Sequence, residues 1–551
     1  MTKRKITLLS NVTVDLISRK LRNKYDVYIP EGFDTWVQEV INPDSPLYSN
    51  DVDAVVILLD GTEARSWRDV DEANERIALW KQATRTFSGR CEDIPIFVST
   101  IDIRENRIKS LSEKKYRYEF ENEWYQFVQS INDEKGNVYV VDIADTISDI
   151  GRNNFYSNKM WYMSSMPYSR DGLNAIAKEI DIALDAAFAE RKKIAVLDLD
   201  NTLWGGVIGE DGIEGIELSD HKEGQRYFDF QRQLLEMKNR GVLLAVDSKN
   251  NAKDAEEAIR NHPSMLLRDE DFISKKINWD DKAKNIKEIG NELNITEGGF
   301  VFIDDNPIER EIVKGECPEV YVTDFPVESS ELLTFAENLW KNSFRPLKVL
   351  SEDVGKTDMY RSEAKRKQEF DGNLNLTDYI KKLEIVIDIH KMRDSELDRV
   401  VQLIGKTNQF NLTTKRYTKT DVSKISRDHD YEIYVAHSED KYGDNGLISV
   451  VILKNNDDED VLIDTFLMSC RVMGRGLENV IISKLVERYS DRVFVGEYIP
   501  SKKNMPVSDL YENLGFEKLK ESKDGNKVYQ LKGTDSNIAD CYLYKEVRFE
   551  E

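Results

Sequence analysis

Two carboxylates stand two residues apart at the end of an apolar run, Ile194-Ala-Val-Leu-Asp198-Leu-Asp200. Residues two apart on a strand share a face, so both carboxyls can reach one site. Further on, the apolar run 242–246 leads to Ser248, and the run 299–303 leads to Asp304-Asp305. Lys282 stands near the start of a helical stretch between them. A carboxylate set with few nitrogen ligands suits a hard cation, and Mg2+ is the usual choice where phosphate is handled. One carboxylate can attack phosphorus while the metal neutralises charge. Asp200 is placed to give or take the leaving-group proton. Ser248 and Lys282 would hold the phosphoryl oxygens by a hydroxyl and a point charge. Each residue alone has a plainer reading: a solvated acid pair, a helix cap at Ser248, a surface lysine. Four of them in this order, at strand ends and a helix start, argue against coincidence.

Such residues need a scaffold. Apolar runs without polar alternation suit strands buried on both faces of a parallel sheet. Ligands in such sheets bind beyond the carboxyl ends of the strands. Residues 186–345 therefore read as an α/β unit with its site at that rim. Residues 204–218, rich in glycine and acid, read as a hairpin flap. From Asp198 to Ser248 is 50 residues and from Ser248 to Lys282 is 34. Neither gap holds a cap domain once the core elements are subtracted, so the site is expected to be open.

Residues 1–185 alternate short strands (5–9, 54–59, 96–99, 138–142) with helical stretches (71–84, 113–131), a parallel α/β pattern. The first strand ends in Ser10-Asn11, yet no histidine precedes His221, so this unit cannot supply its own Ser-His pair. A docking or scaffold role is the expectation. Residues 346–382 read as a helical connector, basic at 361–367. Residues 383–551 follow an α+β order. There Arg471-x-x-Gly474-x-Gly476 lies between a strand and a helix, where glycines let backbone N–H groups face a pyrophosphate. Cys470 ends the preceding strand and could carry or attack an acyl group. As a free cysteine it also reads as a small buried hydrophobe.

At 551 residues the chain should hold roughly three or four domains. Its formal charge of −24 argues against nucleic-acid or anionic-membrane partners. Four scattered cysteines without metal-ligand spacing argue for a reducing compartment, and no apolar stretch approaches membrane-spanning length. A soluble cytoplasmic protein is expected.

Asp198-Leu-Asp200-Asn-Thr202, Ser248, Lys282 and Asp304-Asp305 resemble the four motifs of the haloacid-dehalogenase-type phosphotransferases. The resemblance implies Asp198 as nucleophile and Asp200 as general acid/base. It also implies Mg2+ on Asp198, the Asp200 carbonyl and Asp304 or Asp305. The longer strings 198–212, 248–251, 302–307 and 409–414 resemble the FkbH-like proteins of subfamily IIIC. Those proteins dephosphorylate a three-carbon acid, typically 1,3-bisphosphoglycerate, and load the glyceryl group on an acyl-carrier-protein thiol. The carrier's phosphopantetheine would then be a partner group, with 361–367 a candidate dock. The Ser10-Asn11 start resembles SGNH-type hydrolases. The 471–476 loop, with Asn504 and Leu510-Tyr511-Glu-Asn-Leu-Gly515-Phe516, resembles the GNAT acyltransferases. That implies coenzyme A on Arg471, Gly474, Gly476 and Asn504, and Tyr511 as general acid. The expected fold is thus a multidomain α/β protein. It comprises an SGNH-like parallel domain, a Rossmann-like haloacid-dehalogenase-type domain without a large cap, and an α+β GNAT-like domain. Two alternatives stay open: a stand-alone small-molecule phosphatase with inert flanks, and an acyltransferase or binding module with a structural middle domain.

Overall fold

The computed structural model describes residues 3–49, 52–67, 69–91, 94–189, 191–349, 351–362, 376–456, 460–469, 472–532 and 541–550. They fall into two compact units, Met1–Arg191 with Asn338–Lys348, and Lys192–Glu337 with Val349–Glu551. Among the described residues no helix is long and apolar enough to cross a membrane.

The first unit carries strands β1 (Lys5–Ser10), β2 (Asp26–Tyr28), β3 (Ala54–Leu58), β4 (Ile96–Ser99) and β5 (Val138–Val141). They form one parallel sheet in the order β2-β1-β3-β4-β5. All of β3 is buried. Ala54, Val56 and Leu58 enter one apolar cluster, and Val55 and Ile57 enter another on the opposite face. This is why the strand reads as an unbroken apolar run. Three-residue β2 carries too little pattern to be foreseen. Residues 338–345, expected at the end of the middle unit, belong to this first unit instead. Glu179, nearly buried in helix Arg170–Phe188, explains the attachment. Lys341 Nζ lies 2.7 Å and Arg345 Nη2 3.4 Å from its carboxylate.

The second unit opens with β6 (Ile194–Leu197), followed by β7 (Leu243–Ser248), β8 (Phe272–Ile277), β9 (Phe300–Ile303) and β10 (Tyr321–Val322). The sheet is parallel in the order β10-β9-β6-β7-β8, so β6 lies between β9 and β7. Every residue of β6 and β9 is buried. The polar β8, Phe-Ile-Ser-Lys-Lys-Ile, is an edge strand that the apolar-run criterion passes over. Helices Lys222–Asn239, Ala252–Asn261, Lys282–Leu293 and Pro307–Glu316 connect the strands. The expected hairpin flap is corrected to a kinked helical turn, Ile208–Gly215, closed at its base by a Gly205–Glu217 bridge. The Asp211 carboxylate accepts from Val207 N (2.8 Å) and bends the segment into that turn. The stretches 205–242 and 249–281 hold these elements and no separate domain.

The same unit continues through helical pieces, among them Ser351–Val354 and Leu376–Leu383, into a mixed sheet. Its strands are β11 (Val386–Lys391), β12 (Tyr431–Asp440), β13 (Gly443–Asn456), β14 (Asp460–Met468), β15 (Val493–Tyr498), β16 (Glu517–Glu521), β17 (Lys527–Lys532) and β18 (Glu546–Phe549). The order is β16-β17-β15-β14-β13-β12-β11-β18. The β14–β15 pair is parallel and ends at Ile463 and Gly496. Helix Leu477–Arg488 crosses over between these two strands. The last three strands, two of them largely exposed, were not anticipated.

Candidate functional site

Three adjacent strand ends deliver the acids and the hydroxyl. Asp198 directly follows β6, Ser248 is the last residue of β7, and Asp304 directly follows β9. Lys282 is the first residue of its helix, whose N-cap is Asp281, accepting from Ala283 N at 2.7 Å. The lysine is buried, not a surface residue. Its ammonium donates to Asp198 Oδ1 at 2.8 Å and to Asp304 Oδ2 at 2.6 Å. Burial pulls the ammonium down, but the Asp198 and Asp304 charges outweigh this and hold it above the ordinary lysine value. Ser248 caps no helix, because Asn251 does so by accepting from Lys253 N.

Asp198, Asp304 and Asp305 each bring a carboxylate oxygen within 4.8 Å of the others. Asp304 is fully buried, and burial and then the Asp198 charge push its carboxyl up. Asp305 is pushed up to about 6 by burial and then by Asp198 and Asp304. Three carboxylates against one ammonium leave unbalanced negative charge in a partly dry site. Oxygen donors with that charge excess fit a hard dication.

The Asp200 carboxylate stands apart from this cluster and is held by three N–H donors. Trp204 Nε1 (2.9 Å) and Ile208 N (3.1 Å) reach Oδ1, and Asn250 Nδ2 (3.0 Å) reaches Oδ2. The cleft enclosing Asp198, Asp200, Ser248, Lys282 and Asp305 has a volume of about 340 Å³. Lys249 and Glu309, paired at 2.7 Å, also line it. Arg310 Nη1 donates to the Asp304 and Asp305 carbonyls and fixes that loop.

Sequence reasoning assigned no role to Asn250, Trp204, Lys249, Glu309 or Arg310. Asn250 and Trp204 lie inside the quoted motifs, but only the fold shows that their side chains converge on Asp200. It also passed over Asp247, a fully buried carboxyl behind Ser248. Asn285 Nδ2 donates to its Oδ1 at 2.9 Å, and Oδ2 has no partner. Burial pushes this carboxyl up to about 8, against the Asn285 hydrogen bond and the Lys282 charge. The folded state therefore keeps a proton that the unfolded chain releases near pH 3.8. Stability is present below that pH and is lost as pH rises through about 8. In EDTA, denaturant titrations from about pH 5 to 7 should show wild type losing roughly 1.4 kcal/mol per pH unit more than Asp247→Asn.

In the mixed sheet, Gly474 (φ 78°) and Gly476 (φ 72°) open helix Leu477–Arg488 in the left-handed conformation that glycine tolerates. Tyr544 Oη donates to the Arg475 carbonyl there at 2.8 Å. Asn504 is fully buried and spent internally. Its amide donates to the Asn411 and Ile499 carbonyls, and its oxygen accepts from Tyr498 Oη and Ser501 N. Tyr511 is closed in beneath Gly496, beside Phe516 and Tyr529, and burial pushes its phenol up. Cys470 and Arg471 lie outside the described residues, as do 363–367 of the basic stretch. In the first unit, Ser10 Oγ accepts from Val12 N at 3.2 Å and lines a cavity of about 80 Å³. Asn11 is spent on the Asp60 backbone, donating at 2.8 Å and accepting at 2.9 Å.

No family model matches the chain, and no curated protein matches it. Among solved structures, it is similar to the N-terminal part of a Bacteroides fragilis protein containing a phosphatase domain, complexed with Mg. The identity is 25%, over 63% of this chain and 95% of that one, with a TM-score of 0.57. Two further matches are 13% identical over 26% of this chain and 92% of theirs, at a TM-score of 0.21. They are the ribosomal-protein-S18-alanine N-acetyltransferase of Escherichia coli and spermidine N-acetyltransferase of Vibrio cholerae with CoA and spermine. The chain is a multidomain α/β protein, and the greater part of it is similar to a structure that contains a phosphatase domain.

Proposed function

We propose that the chain is a Mg2+-dependent phosphotransferase of the haloacid-dehalogenase type, acting on a phosphorylated small acid through an aspartyl-phosphate on Asp198. The observation that carries this is the buried Asp198–Lys282–Asp304 triangle at the rim of a parallel sheet, with Asp200 held separately. The Mg-complexed structure that the chain resembles supports the choice of metal. Asp198, Asp304 and Asp305, with the Asp200 carbonyl, would hold the cation, which supplies charge neutralisation at the phosphoryl group.

The chain's own groups do the rest. A carboxylate oxygen of Asp198 forms a bond to phosphorus as the phosphorus–oxygen bond to the leaving group breaks. The electron pair of that bond goes to the leaving oxygen, which takes a proton from Asp200. Water then gives Asp200 a proton and attacks the aspartyl-phosphate, releasing phosphate and restoring Asp198. Ser248 donates its hydroxyl to a phosphoryl oxygen, and Lys282 offers its charge.

The FkbH-like resemblance extends this to loading the acid on a carrier-protein thiol, with Cys470 and the glycine loop serving the pantetheine arm or CoA. Within it the first unit is an SGNH-like scaffold that does not hydrolyse. The closed-in Tyr511 and the spent Asn504 favour a second reading, a small-molecule phosphatase without acyl transfer. Incubation with 1,3-bisphosphoglycerate, Mg2+ and a carrier protein separates them. A mass gain on the carrier thiol supports loading; phosphate release without it supports the second reading. If neither occurs, the phosphotransferase assignment fails.

A further inference from the structure

We infer that Asn250 is a positioning residue that couples the hydroxyl holding the phosphoryl group to the carboxylate handling the leaving-group proton. The inference rests on the phosphotransferase reading above. Asn250 is buried, and its single amide nitrogen reaches two neighbours, Asp200 Oδ2 at 3.0 Å and Ser248 Oγ at 3.1 Å. The amide nitrogen, not the amide oxygen, faces both partners, and its NH2 group has one hydrogen for each.

Two consequences follow for the groups it touches. Ser248 Oγ accepts from Asn250, so its own proton is left to point elsewhere, and Ser248 lines the cleft. Asn250 thereby favours Ser248 as a donor toward a phosphoryl oxygen. At Asp200 the carboxylate offers about four lone-pair sites. Trp204 Nε1 and Ile208 N fill those of Oδ1, and Asn250 fills one on Oδ2. The remaining site, on Oδ2, is the one that can carry the proton to the leaving oxygen or take it from water. Trp204 and Ile208 come from the chain just after Asp200, whereas Asn250 comes from the loop after β7. Among the described donors to Asp200, Asn250 alone also reaches the residue placed to grip phosphate.

The role has a signature that a simple loss of folding lacks. A leaving group of low basicity departs with little help from a proton, and an alkoxide does not. Removing Asn250 should therefore hurt an alkyl phosphate more than an aryl phosphate. The full chain with Mg2+ is assayed on glycerol 3-phosphate and on p-nitrophenyl phosphate. In Asn250→Ala, kcat on glycerol 3-phosphate should fall about tenfold further than kcat on p-nitrophenyl phosphate, a modest share of what general acid catalysis supplies. Asn250→Ser, which keeps one small donor, should show the same difference in weaker form and serves if the alanine variant does not fold. Ser248→Ala should slow both esters alike. Equal losses on the two esters in both Asn250 variants, or no loss on either, would overturn the role of Asn250 alone. A wild-type chain that cleaves neither ester in an Asp198-dependent way would overturn the phosphotransferase reading as well.

Discussion

Asp198→Asn is expected to abolish phosphate release, by on the order of 10^4-fold or more, while leaving the chain folded. An amide has no anionic oxygen with which to attack phosphorus, and no other acid replaces it. Asp200 is fixed by three donors, and Asp304 is bound to Lys282. Phosphate assay gives the first readout. Intact-mass analysis gives the second, since wild type should acquire a phosphoryl adduct and the variant should not. Stability responds in two opposing ways. Loss of the Asp198 charge relieves repulsion on the Asp304 and Asp305 carboxyls but takes from the buried Lys282 one of its two anionic partners. Because Asp304 still pairs with Lys282, the variant in EDTA at neutral pH should melt closer to wild type than Lys282→Met does. A variant that keeps activity would remove Asp198 as nucleophile.

Lys282→Met is the second large effect and has the opposite character. The ammonium is buried between two carboxylates, and methionine conserves much of its volume. Breaking a buried pair from one side costs about 3–5 kcal/mol, because the stranded charge stays in the dry site. Without metal the variant should therefore melt well below wild type. Added Mg2+ should recover more stability in the variant than in wild type, since a cation that binds only the folded form stabilises it by mass action. Turnover should still fall, because Mg2+ does not replace the donor to the phosphoryl group. Calorimetry with and without Mg2+ tests this, and equal metal responses in the two proteins would count against the charge argument.

The placing of these residues at strand ends was legible because strands buried on both faces leave continuous apolar runs, and these residues stand where the runs stop. The runs into Asp198, Ser248 and Asp304 are all of this kind, and their residues are buried as the runs imply. Spacing also carried the absence of a cap, since gap lengths bound what can be inserted. Edge and polar strands carry no such signal, which is why Asp26–Tyr28, Phe272–Ile277 and Glu517–Glu521 were missed. The flap failed for another reason. Glycine and acid marked a turn correctly, but the Asp211 bond to Val207 N that makes it helical is a matter of side-chain reach. Asn250 and Asp247 needed three dimensions, because Asp200 lies 50 residues from the one and Asn285 lies 38 from the other.

The return of residues 338–348 to the first unit bears on how the chain is made. A ribosome finishes the sheet, β1 to β5, and helix Arg170–Phe188 long before it reaches Lys341 and Arg345, about 150 residues past Arg191. At ~5–20 residues per second this is a wait on the order of ten to thirty seconds. Throughout it Glu179 has neither of these cations. The first unit is thus completed only after strands β6 to β10 have been made, and the two halves of the nascent chain mature in an overlapping schedule.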